Sequence, residues 1–248
     1  MPTFLTTSQG RRIAYHRTAG KAPGVIFLGG FVSDMGGTKA LHLEAWAKAE
    51  GRAFIRFDYS GHGQSSGEFE QGCIGDWAQD ATAILSMADD RRILVGSSMG
   101  GWISLLLARA QPARIAGLVT IAAAPDFTED SLWAGLTETQ RAVLMDRGRI
   151  TLPSDYAAEG YRITKRLITD GRTHLVLRTP LVLNVPTRFL QGTADVDVPP
   201  TVALRLLDHA AGPDIRLTLV KGADHRFSTP DCLALTLAAI GDVTQRAT

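Results

Sequence analysis

Residues 92–101 of this chain are RILVGSSMGG, and this stretch decides the fold. The apolar run that opens it predicts a buried strand, and the residues at 102–109 predict a helix directly after the glycines. A G-x-S-x-G pattern between a strand and a helix is typical of a tight turn that exposes a serine at the top of a sheet. The sequence therefore predicts that Ser98 is a nucleophile, with the Met99 N–H pointing toward a developing oxyanion.

The same residues also fit a plain structural interpretation, a Gly/Ser turn that joins a strand to a helix. The G-x-S-x-G pattern by itself recurs by chance, but the strand before it and the helix after it favour the nucleophile. A serine hydroxyl is a weak nucleophile near neutral pH, so the hypothesis requires a base within hydrogen-bond reach.

The expected base is His225, one of six histidines in the chain. It lies in the sequence KGADHRF between the last predicted strand and the last predicted helix, where a loop can project back over Ser98. The other histidines fall in a predicted hairpin, in predicted helices or in an inserted segment. His62, in a turn after a strand, is expected to shape the loop near the site.

The expected acid is Asp195, in the sequence QGTADVDVP after the strand that precedes the histidine strand. Asp197 stands close to Pro199 and is expected to cap the following helix instead. Asp224 is adjacent to His225, and because neighbouring side chains diverge it is expected to structure the loop. The order Ser, Asp, His along the chain is that of the α/β hydrolases.

A second oxyanion donor is expected in the loop after the first parallel strand. Gly29 and Gly30 let the backbone approach a reacting carbonyl, and the Phe31 N–H is the best candidate donor. These glycines would equally suit a turn that simply ends the strand. An acyl pocket is predicted from apolar residues that would otherwise form the core of an inserted segment: Phe31, Leu132, Trp133, Leu136 and Tyr161.

Composition limits the possible partners. The chain has 248 residues, 45% of them hydrophobic and 21% charged, as expected for one globular domain spanning 1–248. Its net charge of +1 gives no field that would attract nucleic acid or an anionic membrane. The two cysteines, Cys73 and Cys232, form neither a disulfide framework nor a metal-ligand spacing, so no metal is expected.

The predicted location is cytoplasmic. The residues at 1–8 show no charged segment followed by an apolar one, so no secretory signal is predicted. The most apolar stretches, 105–108 and 233–240, are far shorter than a membrane span.

Strands and helices alternate along most of the chain, which predicts an α/β fold. After a hairpin at 3–17, the buried strands that helices separate predict a mostly parallel central sheet covered on both faces. The predicted strands are 25–28, 53–57, 93–95, 115–121, 187–190 and 215–220, and the predicted helices are 39–50, 76–88, 102–110 and one from about 231.

The pattern changes after Pro125. Residues 126–180 hold helical stretches near 137–147 and 155–168 and no equally clean apolar run. They predict a small helical lid over the strand ends, because loops at the carboxyl ends of strands line α/β sites. The alternative is a peripheral packing element with no role in substrate choice.

Over essentially its full length the chain resembles an α/β-hydrolase-superfamily serine hydrolase. It is most similar to the ABHD10-like group, known as mitochondrial palmitoyl-protein thioesterases and acyl-glucuronide esterases. The segments that carry the resemblance are GGTKAL at 36–41, IRFDYSG at 55–61 and ILVGSSMGGW at 93–102. It departs from the group at Gln191-Gly192, where many relatives have His-Gly, and it begins at the fold without a visible presequence.

The resemblance implies a serine esterase or thioesterase with the triad Ser98, Asp195 and His225, and no cofactor. The expected reaction is hydrolysis of acyl esters or thioesters through an acyl-enzyme, as in a palmitoyl-protein thioesterase. The expected partner is a small-molecule or acylated-protein substrate. One alternative is a small-molecule carboxylesterase of the acyl-glucuronide type, and another is a non-catalytic ligand-binding protein with the same fold.

Overall fold

The computed structural model describes residues 1–153 and 160–247. Its strands, in chain order, are β1 (Thr3–Thr6), β2 (Arg12–Thr18), β3 (Lys21–Leu28), β4 (Arg52–Phe57), β5 (Arg92–Ser97), β6 (Ile115–Ile121), β7 (Arg149–Leu152), β8 (Tyr161–Thr164), β9 (Leu181–Val182), β10 (Thr187–Gly192), β11 (Ala210–Ala211) and β12 (Ile215–Val220). Its α-helices are α1 (Thr38–Ala49), α2 (Ile74–Ser86), α3 (Met99–Ala110), α4 (Glu138–Arg147), α5 (Lys165–Gly171), α6 (Pro200–His209) and α7 (Pro230–Arg246).

Eight of the strands form the central sheet in the order β1-β2-β4-β3-β5-β6-β10-β12. β2 runs antiparallel to both of its neighbours, and every other pair in the sheet is parallel. The predicted α/β-hydrolase class, with a mostly parallel sheet, is confirmed. This topology brings the carboxyl ends of β5, β10 and β12 to one edge, where ligands bind in open α/β sheets.

Both faces of the sheet are buried because successive side chains of a strand point to opposite sides. In β3, Ile26 and Leu28 pack under α2 and α3, whereas Val25 and Phe27 pack under α1 and α7. The central strands are therefore buried on both faces and largely apolar, as the sequence predicts for a parallel sheet. On α1 the buried face carries Leu43 and Ala47, whereas Leu41 is exposed.

The insertion, residues 126–180, leaves the sheet after β6 and returns before β10. Its second predicted helix, 155–168, is corrected: residues 155–159 lie outside the described residues, 161–164 form β8, and α5 begins at Lys165. β8 pairs with β7, and Ile163 faces Ile150 across the pair. Ile163, Leu167 and Ile168 are spaced as on a helix, but Thr164 caps α5 through its hydroxyl and ends the strand.

Polar contacts hold the two ends of the insertion together and tie it to α3. Asp126, fully buried, accepts hydrogen bonds from the amides of Val176 (2.7 Å) and Leu177 (3.0 Å). The Trp102 indole N–H of α3 donates to the His174 carbonyl at 3.1 Å. In the part of the chain that the structure describes, no helix is both long and apolar enough to cross a lipid bilayer.

Asp80 of α2 is the buried anchor between the amino-terminal hairpin and the loop after β4. Its carboxylate accepts from Arg11 Nε at 2.7 Å, from Ser60 N at 2.9 Å and from Ser60 Oγ at 2.6 Å. We expect Asp80→Ala to lower the free energy of unfolding by about 3 kcal/mol, because it leaves these donors without their buried acceptor.

Urea denaturation followed by circular dichroism measures this loss. The control is Asp208→Ala on exposed α6, for which a change within about 0.5 kcal/mol is expected. Equal stability of the two variants would contradict the anchoring role of Asp80.

Candidate active site

Ser98 lies in the turn between β5 and α3 and has a left-handed backbone, with φ 53° and ψ −117°. Its amide donates to the Ile121 carbonyl at 2.9 Å, and its own carbonyl accepts from the Ala124 amide at 3.1 Å. These bonds fix the turn against the end of β6. A non-glycine residue at positive φ stores strain that the surrounding structure must hold in place.

The turn closes only because Gly96 and Gly100 lack side chains. A Cβ on Gly96 would overlap the Gly100 carbonyl, and a Cβ on Gly100 would overlap the Leu28 carbonyl of β3. The predicted strand, turn and helix are thus all present. Met99 is the first residue of α3, so its N–H has no acceptor one turn back in the helix and points out of the helix start.

His225 reaches Ser98 from the loop after β12. The Ser98 hydroxyl donates to His225 Nε2 at 3.1 Å, and His225 Nδ1 donates to Asp195 Oδ2 at 2.8 Å. The structure therefore brings the three predicted residues into one hydrogen-bonded chain, although they are far apart in sequence. A base held by an acid and bonded to a hydroxyl can accept the proton of that hydroxyl when it attacks a carbonyl.

Asp195 is buried in the loop after β10, and its carboxylate oxygens accept several hydrogen bonds. Oδ1 accepts from the amides of Asp197 (3.0 Å) and Val198 (2.8 Å), and Oδ2 also accepts from Gln191 Nε2 at 2.9 Å. Burial pushes the pKa of Asp195 upward, but the hydrogen bonds from His225 and Val198 outweigh it and hold the pKa below its ordinary value. The carboxylate therefore stays ionised and orients the His225 ring.

Gln191 is a site residue to which sequence reasoning gave no role. It is fully buried at the end of β10, and its amide nitrogen contacts both Asp195 and the Val198 carbonyl. A polar residue directly after the predicted strand 187–190, four positions before the acid, was the available signal. The expectation that Asp197 caps α6 is corrected, because the cap position is Pro199 and no side chain bonds the helix start.

The loop after β3 passes directly beside the nucleophile. A Cβ built on Gly30 would lie 3.5 Å from Ser98 Cβ, so only a narrow space separates this backbone from the hydroxyl. The Phe31 ring anchors the loop through edge-to-face contacts with four other rings, at centroid distances of 5.0–6.0 Å: Phe69, Trp77, Phe127 and Tyr161. Such contacts stabilise by about 0.5–1.5 kcal/mol each beyond burial.

Two charged residues of β4 and its loop hold the same segment from below. Asp58, buried, accepts from the Met35 amide at 2.6 Å, and Arg56 donates to the Met35 carbonyl at 3.0 Å. Arg56 also pairs with Glu44 of α1 at 3.1 Å. The loop from Gly29 to Gly37 and the start of α1 are therefore fixed to the sheet.

A cavity of about 680 Å³ opens over Ser98, a size typical of small-ligand sites. One wall is apolar and includes Phe31 together with Phe127, Leu132 and Tyr161 of the insertion. The polar part of its lining includes Lys39, Arg226 and Ser228 near His225, and Lys39 bonds the Arg226 carbonyl.

Two predicted pocket residues are corrected. Trp133 does not line the cavity and lies under the guanidinium groups of Arg141 and Arg172, at 5.2 and 4.6 Å from its ring. Leu136 is buried in the hydrophobic core. Trp133 and Leu136 therefore fit the alternative interpretation, in which they pack within the insertion. Leu132 and Tyr161, in contrast, line the cavity.

The remaining candidates take structural places. His62 is buried among the Tyr59, Phe69 and Trp77 rings, and its Nδ1 contacts the Ser60 carbonyl at 3.1 Å.

Three residues, Asp195, Asp197 and His225, bring atoms able to ligate a metal within 4.8 Å of one another. Of these atoms, Asp195 Oδ2 and His225 Nδ1 already bond to each other in the hydrogen-bonded chain described above.

The fold and this site define an α/β hydrolase. A family model described as serine aminopeptidase, S33, matches residues 22–170, and the chain belongs to this family. The protein is a serine hydrolase.

Its relatives can be named more closely. It is 39% identical over 246 residues to the mitochondrial palmitoyl-protein thioesterase ABHD10 of Mus musculus, covering 98% of this chain and 82% of the relative. The solved structure of mouse ABHD10 matches with a TM-score of 0.92 and 38% identity over 100% of both chains. A crystal structure of a protein from Agrobacterium vitis S4 matches with a TM-score of 0.94 and 40% identity over 98% of both chains.

The contact between Asp195 and His225 leads to a testable expectation. Asp195→Asn should slow the reaction of Ser98 with a fluorophosphonate by roughly 10³–10⁴, because the amide cannot stabilise the charged imidazole or fix its tautomer. The rate is measured by fluorescence of the labelled protein.

Asp197→Asn is the matched control, since it removes a carboxylate that does not accept the His225 Nδ1 proton. A far smaller reduction is expected there. Equal effects of the two substitutions would contradict the assignment of Asp195 as the acid.

Proposed function

We propose that this protein hydrolyses acyl thioesters or esters through a covalent acyl-enzyme on Ser98. The observation that carries the proposal is the hydrogen-bonded chain from Ser98 through His225 to buried Asp195, placed in a cavity large enough for an acyl substrate. The similarity to a palmitoyl-protein thioesterase supports the choice of substrate class.

The first half of the reaction forms the acyl-enzyme. His225 Nε2 accepts the Ser98 proton as the Ser98 oxygen attacks the acyl carbonyl, and Asp195 stabilises the resulting imidazolium. The amides of Met99 and Phe31 donate to the carbonyl oxygen as it becomes negative. Loss of one such donor typically costs about 10²–10³ in rate, which is why the anchoring of the Phe31 loop matters for catalysis.

The acyl-enzyme is complete when His225 gives its proton to the departing thiolate or alkoxide and the carbon–sulfur or carbon–oxygen bond breaks. The second half releases the acid. A water molecule takes the place of the leaving group and attacks the acyl carbonyl while His225 accepts its proton. The bond from the acyl carbon to the Ser98 oxygen then breaks, and His225 returns the proton to that oxygen.

The insertion acts in this proposal as a lid that supplies the acyl side of the cavity. Phe127, Leu132 and Tyr161 come from it, and together with Phe31 they form an apolar wall. Burial of an acyl chain against such a wall stabilises the complex by about 0.8 kcal/mol for each buried CH₂ group. A preference for longer acyl groups follows.

A small-molecule carboxylesterase is the second candidate, and the polar wall of the cavity favours it. Polar groups on a small-molecule leaving group would find partners in Lys39, Arg226 and Ser228. The cysteine thiol of an acylated protein carries no such polar groups. A non-catalytic ligand-binding role is disfavoured, because the strained backbone at Ser98 has no structural use there. The cytoplasmic location stays a prediction from the sequence. The ABHD10 relatives are named mitochondrial, so they do not support it.

The direct test compares matched thioesters and oxygen esters from acetyl to palmitoyl with wild-type protein and Ser98→Ala. We expect Ser98→Ala to lower kcat by about 10⁶, because no other group on this edge replaces the nucleophile. A higher kcat/KM for long-chain thioesters supports the thioesterase, and a preference for short oxygen esters supports the carboxylesterase. Turnover that survives Ser98→Ala would contradict the mechanism.

The acyl wall has its own test. Leu132→Phe should lower kcat/KM for palmitoyl substrates by about tenfold or more and for acetyl substrates much less, because the larger ring fills space needed only by the long chain. The control is Met145→Phe, in exposed α4 of the same insertion. Equal losses for both chain lengths would show that Leu132 does not face the acyl chain.

A further inference from the structure

Lys39 is a cation placed where the fold itself gives no reason for one. It lies in the first turn of α1, where the helix dipole disfavours positive charge, and that turn holds no acidic residue. Its side chain is half-buried and lines the cavity over Ser98. A residue that breaks local rules in this way is most often explained by function.

The contacts of Lys39 leave its charge without a close anion. Its Nζ donates to the Arg226 carbonyl at 2.5 Å, and among the described residues no carboxylate oxygen lies within 4.0 Å of it. Burial lowers the pKa of Lys39 to about 8, with attraction from Asp224 and repulsion from Arg226 as smaller influences. The ammonium group is therefore held near the cavity at a cost that a bound anion would offset.

The position of Lys39 relative to the reacting atoms indicates which part of a substrate it meets. His225 must give its proton to the leaving group, so the leaving group lies on the His225 side of Ser98. Arg226 directly follows His225 and also lines the cavity, and Lys39 bonds its carbonyl. The apolar wall formed by Phe31 and the insertion is left for the acyl chain.

We propose that Lys39, with Arg226 beside it, forms a subsite for a carboxylate or phosphate carried by the leaving thiol or alcohol. The inference rests on the proposed function and specifies its substrate class. Ammonium and guanidinium groups recognise both kinds of anion through charge-assisted hydrogen bonds.

The test uses two pairs of hexanoyl thioesters in which only the charge of the leaving thiol differs. The first pair carries 3-mercaptopropionate or neutral 3-mercaptopropionamide, and the second carries 4′-phosphopantetheine or neutral pantetheine. We expect wild-type kcat/KM to favour the anionic member of at least one pair by about tenfold, as for a hydrogen bond to a charged group. The preferred pair identifies carboxylate or phosphate as the anion.

Substitutions assign the preference to Lys39. Lys39→Met should reduce the anionic-to-neutral ratio toward one, and Lys39→Arg should retain it. Lys48→Met is the matched control, since Lys48 lies at the other end of α1 and pairs with Glu44. Its ratio should equal that of the wild type.

The pH dependence gives a readout that needs no substitution. A lysine is charged below its pKa, so the wild-type ratio should be full near pH 7 and fall as the pH rises through about 8. Lys39→Arg should keep its ratio at pH 9.

The outcomes separate this inference from the proposed function. Ser98-dependent hydrolysis with equal rates for charged and neutral thiols, or a ratio unchanged by Lys39→Met, would overturn the anion subsite alone. Absence of hydrolysis for these thioesters and for the matched acyl series would overturn the proposed function and the subsite with it.

Discussion

The left-handed backbone at Ser98 is the constraint on which the rest of the site depends. It turns the chain from β5 into α3 within one residue. Such a conformation costs of order 1–3 kcal/mol and persists only when neighbours enforce it. The bond to the Ile121 carbonyl and the close approach of Gly100 to β3 provide that enforcement.

Strain of this kind is concentrated on the reactive edge of the sheet. Among the described residues, non-glycine residues with positive φ follow β3, β5, β6 or β12, and they are Val32, Ser98, Ala122, Asp126 and Phe227. The central parallel strands are buried and largely apolar, so they form a base from which these irregular loops project. Two loops of the set carry Ser98 and His225, the proposed nucleophile and base, and one continues from Phe31, the proposed oxyanion donor.

The Phe31 ring links this edge to the insertion. The Gly30 backbone directly before it borders Ser98. The Phe31 ring contacts Phe69 and Trp77, and it also contacts Phe127 and Tyr161 of the insertion. The insertion and the loop of the proposed oxyanion donor are thus coupled through one aromatic cluster. In the proposed function, the lid both shapes the acyl side of the cavity and steadies the loop that stabilises the oxyanion.

Much of this architecture was predictable because its signals are local. The inner parallel strands contain apolar runs, and the glycines around Ser98 mark the turn, so strand limits such as 115–121 and the strand–turn–helix unit followed from the sequence. His225 and Asp195 were identified from their positions after two strands, and the structure brings both to Ser98.

The insertion was less predictable because its structure depends on pairing between distant segments. The apolar spacing at 163–168 suits a helix, and only contact with β7 makes Tyr161–Thr164 a strand. Trp133 and Leu136 have the apolar character of pocket residues, yet whether such residues face a cavity or a core is set by tertiary packing. The contact of Gln191 with Asp195 is likewise invisible without the loop that folds back over it.

The most direct test of this account is to identify the acylated residue during turnover. The protein is mixed with a hexanoyl thioester, quenched in acid within milliseconds, digested and analysed by mass spectrometry. The account predicts a hexanoyl group on the peptide that contains Ser98, formed and lost at rates consistent with turnover. Turnover without any acylated Ser98, or acylation at a different residue, would contradict it.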